Sequence, residues 1–167
     1  PPPARLYQLV TAFGDQVKRV MAEDGPSLQS SGMRFDLHAI VGGHLPGDAD
    51  PALFMVYPQG NWVDATPDAP YFVIGRTSYG KPILDRVITR FTPLADATKC
   101  VLVSFDSTMR SNLSVGMPID LICYERDSLE VRMRRRFDEG DPYFTALSRE
   151  WSEGVRQVFG QLTELRW

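Results

Sequence analysis

The interval between apolar residues switches back and forth between helical and strand values along this chain, and each switch fixes what a segment can become. Leu6, Val10, Phe13, Val17 and Val20 recur every three or four positions, which is one stripe of an α-helix. Gly25-Pro26 is expected to end that helix. From Met33 the interval drops to two, with Met33, Phe35, Leu37, Ala39 and Val41 on one face, until Gly42-Gly43 breaks the pattern. Leu53–Tyr57 forms a second strand, closed by Pro58-Gln59-Gly60-Asn61, and the short polar stretch from Pro46 to Pro51 makes the two strands an antiparallel pair. Trp62–Ala65 and Tyr71–Ile74, on either side of Pro67-Asp68-Ala69-Pro70, are expected to continue the sheet.

Helical spacing returns at Lys81-Pro82, where proline suits a first turn and Ile83, Leu84, Val87 and Ile88 follow. A second helix is expected from Leu94 to Met109, largely buried between Cys100 and Phe105. Ile119–Tyr124 and 129–137 bracket Arg126-Asp127-Ser128, the organisation of a hairpin. Asp141-Pro142 then supplies a cap and a first-turn proline for a long helix striped by Tyr143, Leu147, Trp151, Val155, Val158, Leu162 and Leu165. Such a stripe ordinarily packs on the helix's own sheet. Strands and helices are segregated, not strictly alternating, which points to an α+β fold with antiparallel sheet.

With 167 residues the chain has the size of one domain, or part of one, over 1–167. Lys plus Arg number 18 against 21 Asp plus Glu, so the net charge of -3 gives no general pull toward nucleic acid or an anionic membrane surface. The apolar runs are strand-sized and short of the roughly 20 residues of a membrane span. Cys100 and Cys123 sit in apolar surroundings without metal-ligand spacing, and are expected as free buried thiols in a reducing compartment, the cytoplasm. No cofactor or metal motif is present. Pro1-Pro2-Pro3 carries neither an initiator Met nor the features of a signal peptide, so the chain is expected to begin inside a longer protein.

Four groups of residues have chemistry worth weighing. His38 and His44 are the only histidines; no third His or Cys completes a metal site with them, and no GxSxG elbow accompanies a Ser-His-Asp reading. Arg132, Arg134, Arg135 and Arg136 form the densest charge run, open to phosphate contact or to pairing with Glu125, Asp127 and Glu130. Gly75-Arg-Thr-Ser-Tyr-Gly80 lies between strand and helix but lacks the Lys-Ser/Thr ending of a phosphate-binding loop. The segment from Ser104 to Ser114, with Asp106, Arg110 and Asn112, gathers groups that either orient a neighbouring active group or cap a helix.

Several stretches together resemble one family. Phe35-Asp-Leu-His-Ala-Ile-Val-Gly-Gly43, Tyr57-Pro-Gln-Gly-Asn61, Ile74-Gly-Arg-Thr-Ser-Tyr-Gly-Lys-Pro-Ile-Leu-Asp-Arg86 and Asp106-Ser-Thr-Met-Arg-Ser-Asn-Leu-Ser-Val-Gly-Met-Pro-Ile-Asp-Leu121 are similar to the second half of Anbu, a bacterial relative of proteasome β subunits. The resemblance implies an N-terminal nucleophile hydrolase fold, an αββα sandwich of antiparallel sheets between helix layers. It implies threonine-type peptidase activity on peptides or unfolded proteins, within a homo-oligomer of such subunits, without cofactor, metal, nucleic acid or membrane. In that family an N-terminal threonine is both nucleophile and, through its amine, base. Pro1 has no hydroxyl, so these 167 residues lack the nucleophile, and the alternative is a non-catalytic assembly or binding module. An Asp-x-x-Ser pair that supports catalysis in proteasome β subunits falls on Ser111-Asn-Leu-Ser114, giving Ser114 and, less directly, Ser111 as supporting residues. The Gly-Ser-Gly turn of the same subunits is Gly75-Arg76-Thr77-Ser78 here, a departure from their pattern. By the same resemblance, the long C-terminal helix and the short helix from Ile83 to Ile88 are expected near subunit contacts.

Overall fold

A computed structural model describes residues 3–128 and 130–166, which divide into two compact units, one up to Gly75 and the other from Arg76. The first contains α1 (Leu6–Ser30), β1 (Ala39–Gly43), β2 (Ala52–Val56) and β3 (Trp62–Asp64). The strands form one antiparallel sheet in the order β1-β2-β3, with Val41 opposite Phe54 and Met55 opposite Val63. Leu6, Val10, Gly14 and Val17 make the buried stripe of α1, and Leu6 and Val10 close on Phe54 and Val56 of the sheet. Trp62 meets Phe54 edge-on at 5.1 Å and donates its indole N–H to Thr11 Oγ1 at 3.1 Å, so β3 is tied to the helix above it.

Two backbone features set how closely α1 approaches. A Cβ on Gly14 would overlap the carbonyl oxygen of Gly60, and Gly60 itself turns at φ 74°. Side-chain bulk at either position would push helix and turn apart. The helix entrance is fixed from a distance: the Asp48 carboxylate accepts the Leu6 N–H at 3.0 Å and the Leu45 N–H at 2.9 Å, joining the start of α1 to the turn between β1 and β2.

The second unit contains α2 (Lys81–Val87), α3 (Leu94–Ser111), β4 (Ile119–Cys123), β5 (Met133–Phe137) and α4 (Pro142–Gly160). Its strands pair antiparallel as a separate two-stranded sheet, Ile119 opposite Phe137 and Cys123 opposite Met133. Leu102 of α3, Ile119, Phe137 and Phe144 of α4 form the core. Burying an apolar side chain of this size is worth about 1.5–3 kcal/mol. Asp141 caps α4 as its sequence announces, accepting the Phe144 N–H at 2.9 Å, with Pro142 in the first turn. The Arg135 guanidinium lies over the rings of Phe137 and Tyr143 and reaches Asp141 at 3.2 Å, binding β5 to the same helix end.

Five boundaries differ from the sequence reading by more than two residues. Helix α1 continues through Gly25-Pro26 to Ser30. Pro26 withholds one N–H from Ala22, but this end of the helix is exposed, where water satisfies a carbonyl. The first strand begins at Ala39 and not Met33, because β2 ends at Val56 and passes into the turn to β3, which Tyr57 closes by donating to the Asn61 carbonyl and accepting from the Gly60 N–H. Tyr71–Ile74 joins no sheet; the segment is entered through Pro70, and the only pairing nearby is the bridge between Thr66 and Ala69. The last strand starts at Met133, after a turn in which Asp127 takes φ 60°; Leu129 lies outside the described residues. Finally, α4 ends at Gly160, so Leu162 and Leu165 fall beyond the helix.

Candidate functional site

The turn that follows α3 carries both residues singled out as supporting groups. Ser111 is the last helical residue, exposed, and Asn112 breaks the helix in extended conformation. Asn112 Oδ1 then accepts two bonds from Ser114, the backbone N–H at 2.9 Å and the hydroxyl at 2.6 Å. Ser114 is therefore held by a neutral amide, and Ser111 is not part of that arrangement. Leu113, between them, projects fully into solvent at 105% relative exposure.

Ser104, Asp106 and Thr108 of this segment turn inward, while Arg110 stays at the surface. Asp106 is buried and accepts from Arg110 Nε at 3.1 Å, and Arg110 Nη2 donates to Ser148 Oγ of α4 at 2.9 Å. Thr108 donates to the Ser104 carbonyl at 2.8 Å. The bond to Ser148 joins α3 to α4, the other two lie within α3, and together they account for the polar residues that the sequence left open between chemistry and capping. Gly80, at the end of the Gly75–Gly80 segment, lets α2 begin against α3, since a Cβ there would overlap Ser104 Oγ. That turn is a packing device.

The histidines and arginines are also accounted for locally. His38 Nδ1 lies 3.3 Å from Asp36 and its ring meets Tyr57 edge-on, whereas His44 Nε2 contacts the Asp48 carbonyl at 3.2 Å. Among the described residues no group of three His, Cys, Asp or Glu could hold a metal ion. Arg136 faces Asp120 across the hairpin at 3.1 Å and Asp138 at 3.3 Å, Arg132 faces Glu130 at 2.6 Å, and Arg135 faces Asp141. Carboxylates from the same hairpin and helix cap thus compensate most of the run. Cys100 and Cys123 are free and buried.

A groove that sequence reading missed lies within the second unit, where α2, α3 and the first half of α4 leave a cavity of about 610 Å³. Ile83 and Val87 come from α2, Cys100 and Val103 from α3, Leu147 and Trp151 from α4. Burial pushes the Cys100 thiol above its ordinary range, so it lines the wall as an uncharged apolar group. At the rim Lys99 donates to Asp96 at 2.9 Å, and that bond holds the ammonium above its usual pKa. The lining comes from helices far apart in sequence, and no local motif announces it.

No protein-family profile matches the chain, and no curated protein sequence does. Solved structures do. Over 99% of this chain and 68% of theirs, Anbu from Yersinia bercovieri is 42% identical with a TM-score of 0.87, and a Gly-1 mutant of Anbu from Hyphomicrobium sp. strain MC1 is 44% identical with a TM-score of 0.89. The helical assembly of the Anbu complex from Pseudomonas aeruginosa is 44% identical over 97% of this chain and 66% of its own, with a TM-score of 0.87. The antiparallel sheets and four helices thus place the fold in the proteasome-like class. Within that class the chain belongs to the Anbu family, and it spans about two thirds of the length of these relatives. Among the described residues no helix is long and apolar enough to cross a membrane.

Proposed function

We propose that this chain is the C-terminal part of a proteasome-type subunit that self-assembles and, when complete, hydrolyses peptide bonds through an N-terminal threonine outside these 167 residues. The observation that carries this reading is the match to Anbu structures along nearly the whole chain, one of them a helical assembly, at a level of identity that preserves the entire arrangement of elements. Its substrate would be a peptide or unfolded protein and its compartment the cytoplasm. Ser114 would act as a supporting group near the nucleophile, oriented by Asn112.

One feature of the turn favours the second reading, a non-catalytic assembly module. Where proteasome β subunits place an Asp, this chain has Ser111 and Asn112, so no carboxylate holds the Ser114 hydroxyl. A neutral amide supports a proton transfer at that position less well than an anion would. Intact mass spectrometry of the natural gene product, before and after treatment with a peptide epoxyketone, separates the two. The peptidase reading expects a species longer than 18.8 kDa, beginning with threonine and gaining one adduct. An unmodified 18.8 kDa product would establish the module instead.

A further inference from the structure

The groove between α2, α3 and α4 has an apolar wall and a charged rim, and the charges on that rim do not balance. Ile83, Val87, Val103, Leu147 and the uncharged thiol of Cys100 make the wall, and the volume of about 610 Å³ lies within the roughly 300–1,000 Å³ of small-molecule sites. Asp96, Lys99 and Glu150 line the same groove and are exposed, so they stand at its edge. Lys99 is already engaged, donating to Asp96 at 2.9 Å. Two carboxylates against one ammonium leave a negative charge over, and it falls on Glu150, which has no cationic partner among the described residues. The next residue, Trp151, also lines the groove, 37% exposed and with no Arg or Lys over its ring among the described residues. Thr92, the remaining polar residue of the lining, spends its hydroxyl on the Val87 carbonyl at 3.2 Å.

From this we infer that the groove binds a small apolar amine, its hydrocarbon body against α2 and α3 and its ammonium held at the rim by Glu150 and the indole of Trp151. Such a site is separate from the peptidase reading and holds with or without it. The wall selects the body, since it offers an entering molecule mostly methyl, thiol and ring surface. The rim selects the charge. An anion would meet the Glu150 carboxylate and find the one ammonium already paired with Asp96. A neutral molecule would displace water from Glu150 and give nothing in return. A cation gains from both, because the indole face attracts positive charge as the carboxylate does. Glu150 and Trp151 are consecutive residues of α4, so a single turn of a rigid helix presents the two contacts together.

Calorimetry on the natural gene product at neutral pH and low salt tests this with three probes of one shape: phenylbutylammonium, phenylbutyrate and phenylbutanol. The ammonium probe is expected to bind at least about fivefold more tightly than the carboxylate probe and to lose about fivefold in Glu150→Gln. Phenylbutanol should bind wild type and Glu150→Gln alike, which shows that the variant keeps its groove. Lys99→Met frees Asp96 as a second carboxylate and is expected to tighten the ammonium probe about twofold, and added salt to weaken that probe while leaving the alcohol unchanged. Trp151→Leu should weaken the ammonium probe about threefold more than it weakens the alcohol. Methyl NMR signals of Ile83, Val87 and Val103 are expected to shift on titration and so place the probe. Equal affinity for ammonium and carboxylate overturns the site, as does a Glu150→Gln chain that binds the ammonium probe as tightly as wild type, or a titration whose shifts fall outside these residues. Each of those results leaves the peptidase reading to be decided by the mass spectrum.

Discussion

Helices α1 and α4 each begin on the core of their own unit and then run past it, but the two overhangs differ in chemistry. Beyond Val17, α1 is mainly charged, with Lys18, Arg19, Glu23 and Asp24 around the part-exposed Val20 and Met21, and Arg19 and Glu23 pair along its surface at 3.8 Å. Beyond Trp151, α4 presents Val155, Val158 and Phe159. A charged overhang is finished when water reaches it, whereas an apolar one still exposes surface whose burial would release about 25 cal/mol per Å². Length alone therefore does not mark a helix as an interface element; the side chains on the part that leaves the core do.

The cores below these helices differ as well, and substitutions sharpen the contrast. Phe137→Ala should have the largest effect, since this ring is 1% exposed at the centre of the second unit and the loss of such a side chain costs about 3–5 kcal/mol. Hydrogen exchange should speed up in β4 and β5 while β1–β3 keep their protection; equal loss in both units would show that they unfold as one. Gly14→Ala should follow at roughly 1–3 kcal/mol, because the added methyl meets the Gly60 backbone, which cannot rotate away as a side chain can. Urea unfolding followed through Trp62 reads it, and a neutral result would mean that α1 shifts freely over its sheet. The smallest effect is pH-dependent. The Phe144 N–H, with Arg135 adding to it, holds the Asp141 carboxyl below the ordinary range for aspartate. A lowered folded pKa means a contribution fully present at neutral pH and lost as pH falls through the ordinary aspartate range and below. Melting of the wild type should thus fall more steeply on acidification than that of Asp141→Asn, compared between about pH 6 and 2; parallel curves would remove this cap from the account.

Most elements of both units are legible in the sequence, because apolar period is a local property. Alternation at Phe35 and Leu37 persists as half-buried positions in an extended segment, yet it is no strand, since the ladder also needs a partner and β2 has already turned away. The same limit explains Tyr71–Ile74. The α4 stripe holds as a helical pattern from Tyr143 to Val158 and is silent about its destination: Phe144 and Leu147 pack on the unit's own core, while the continuation from Val155 does not. At the candidate site, Ser114 enters only through the resemblance to proteasome β subunits, and its partner Asn112 emerges once the turn brings an amide oxygen to the hydroxyl. The groove was out of reach because Ile83, Cys100 and Trp151 share a wall only after three helices have packed.

The capping of α1 by Asp48 has a consequence in time. Helix nucleation is the costly step of helix formation, and here the group that satisfies the first N–H lies 42 positions further along the chain. The entrance of α1 cannot be closed until the turn between β1 and β2 exists to deliver that carboxylate, and the same carboxylate pins the turn through Leu45. Helix start and hairpin turn are therefore ordered together by one side chain, and Asp48→Ala is expected to speed hydrogen exchange at the Leu6 and Leu45 amides alike, whereas loss at one alone would separate the two.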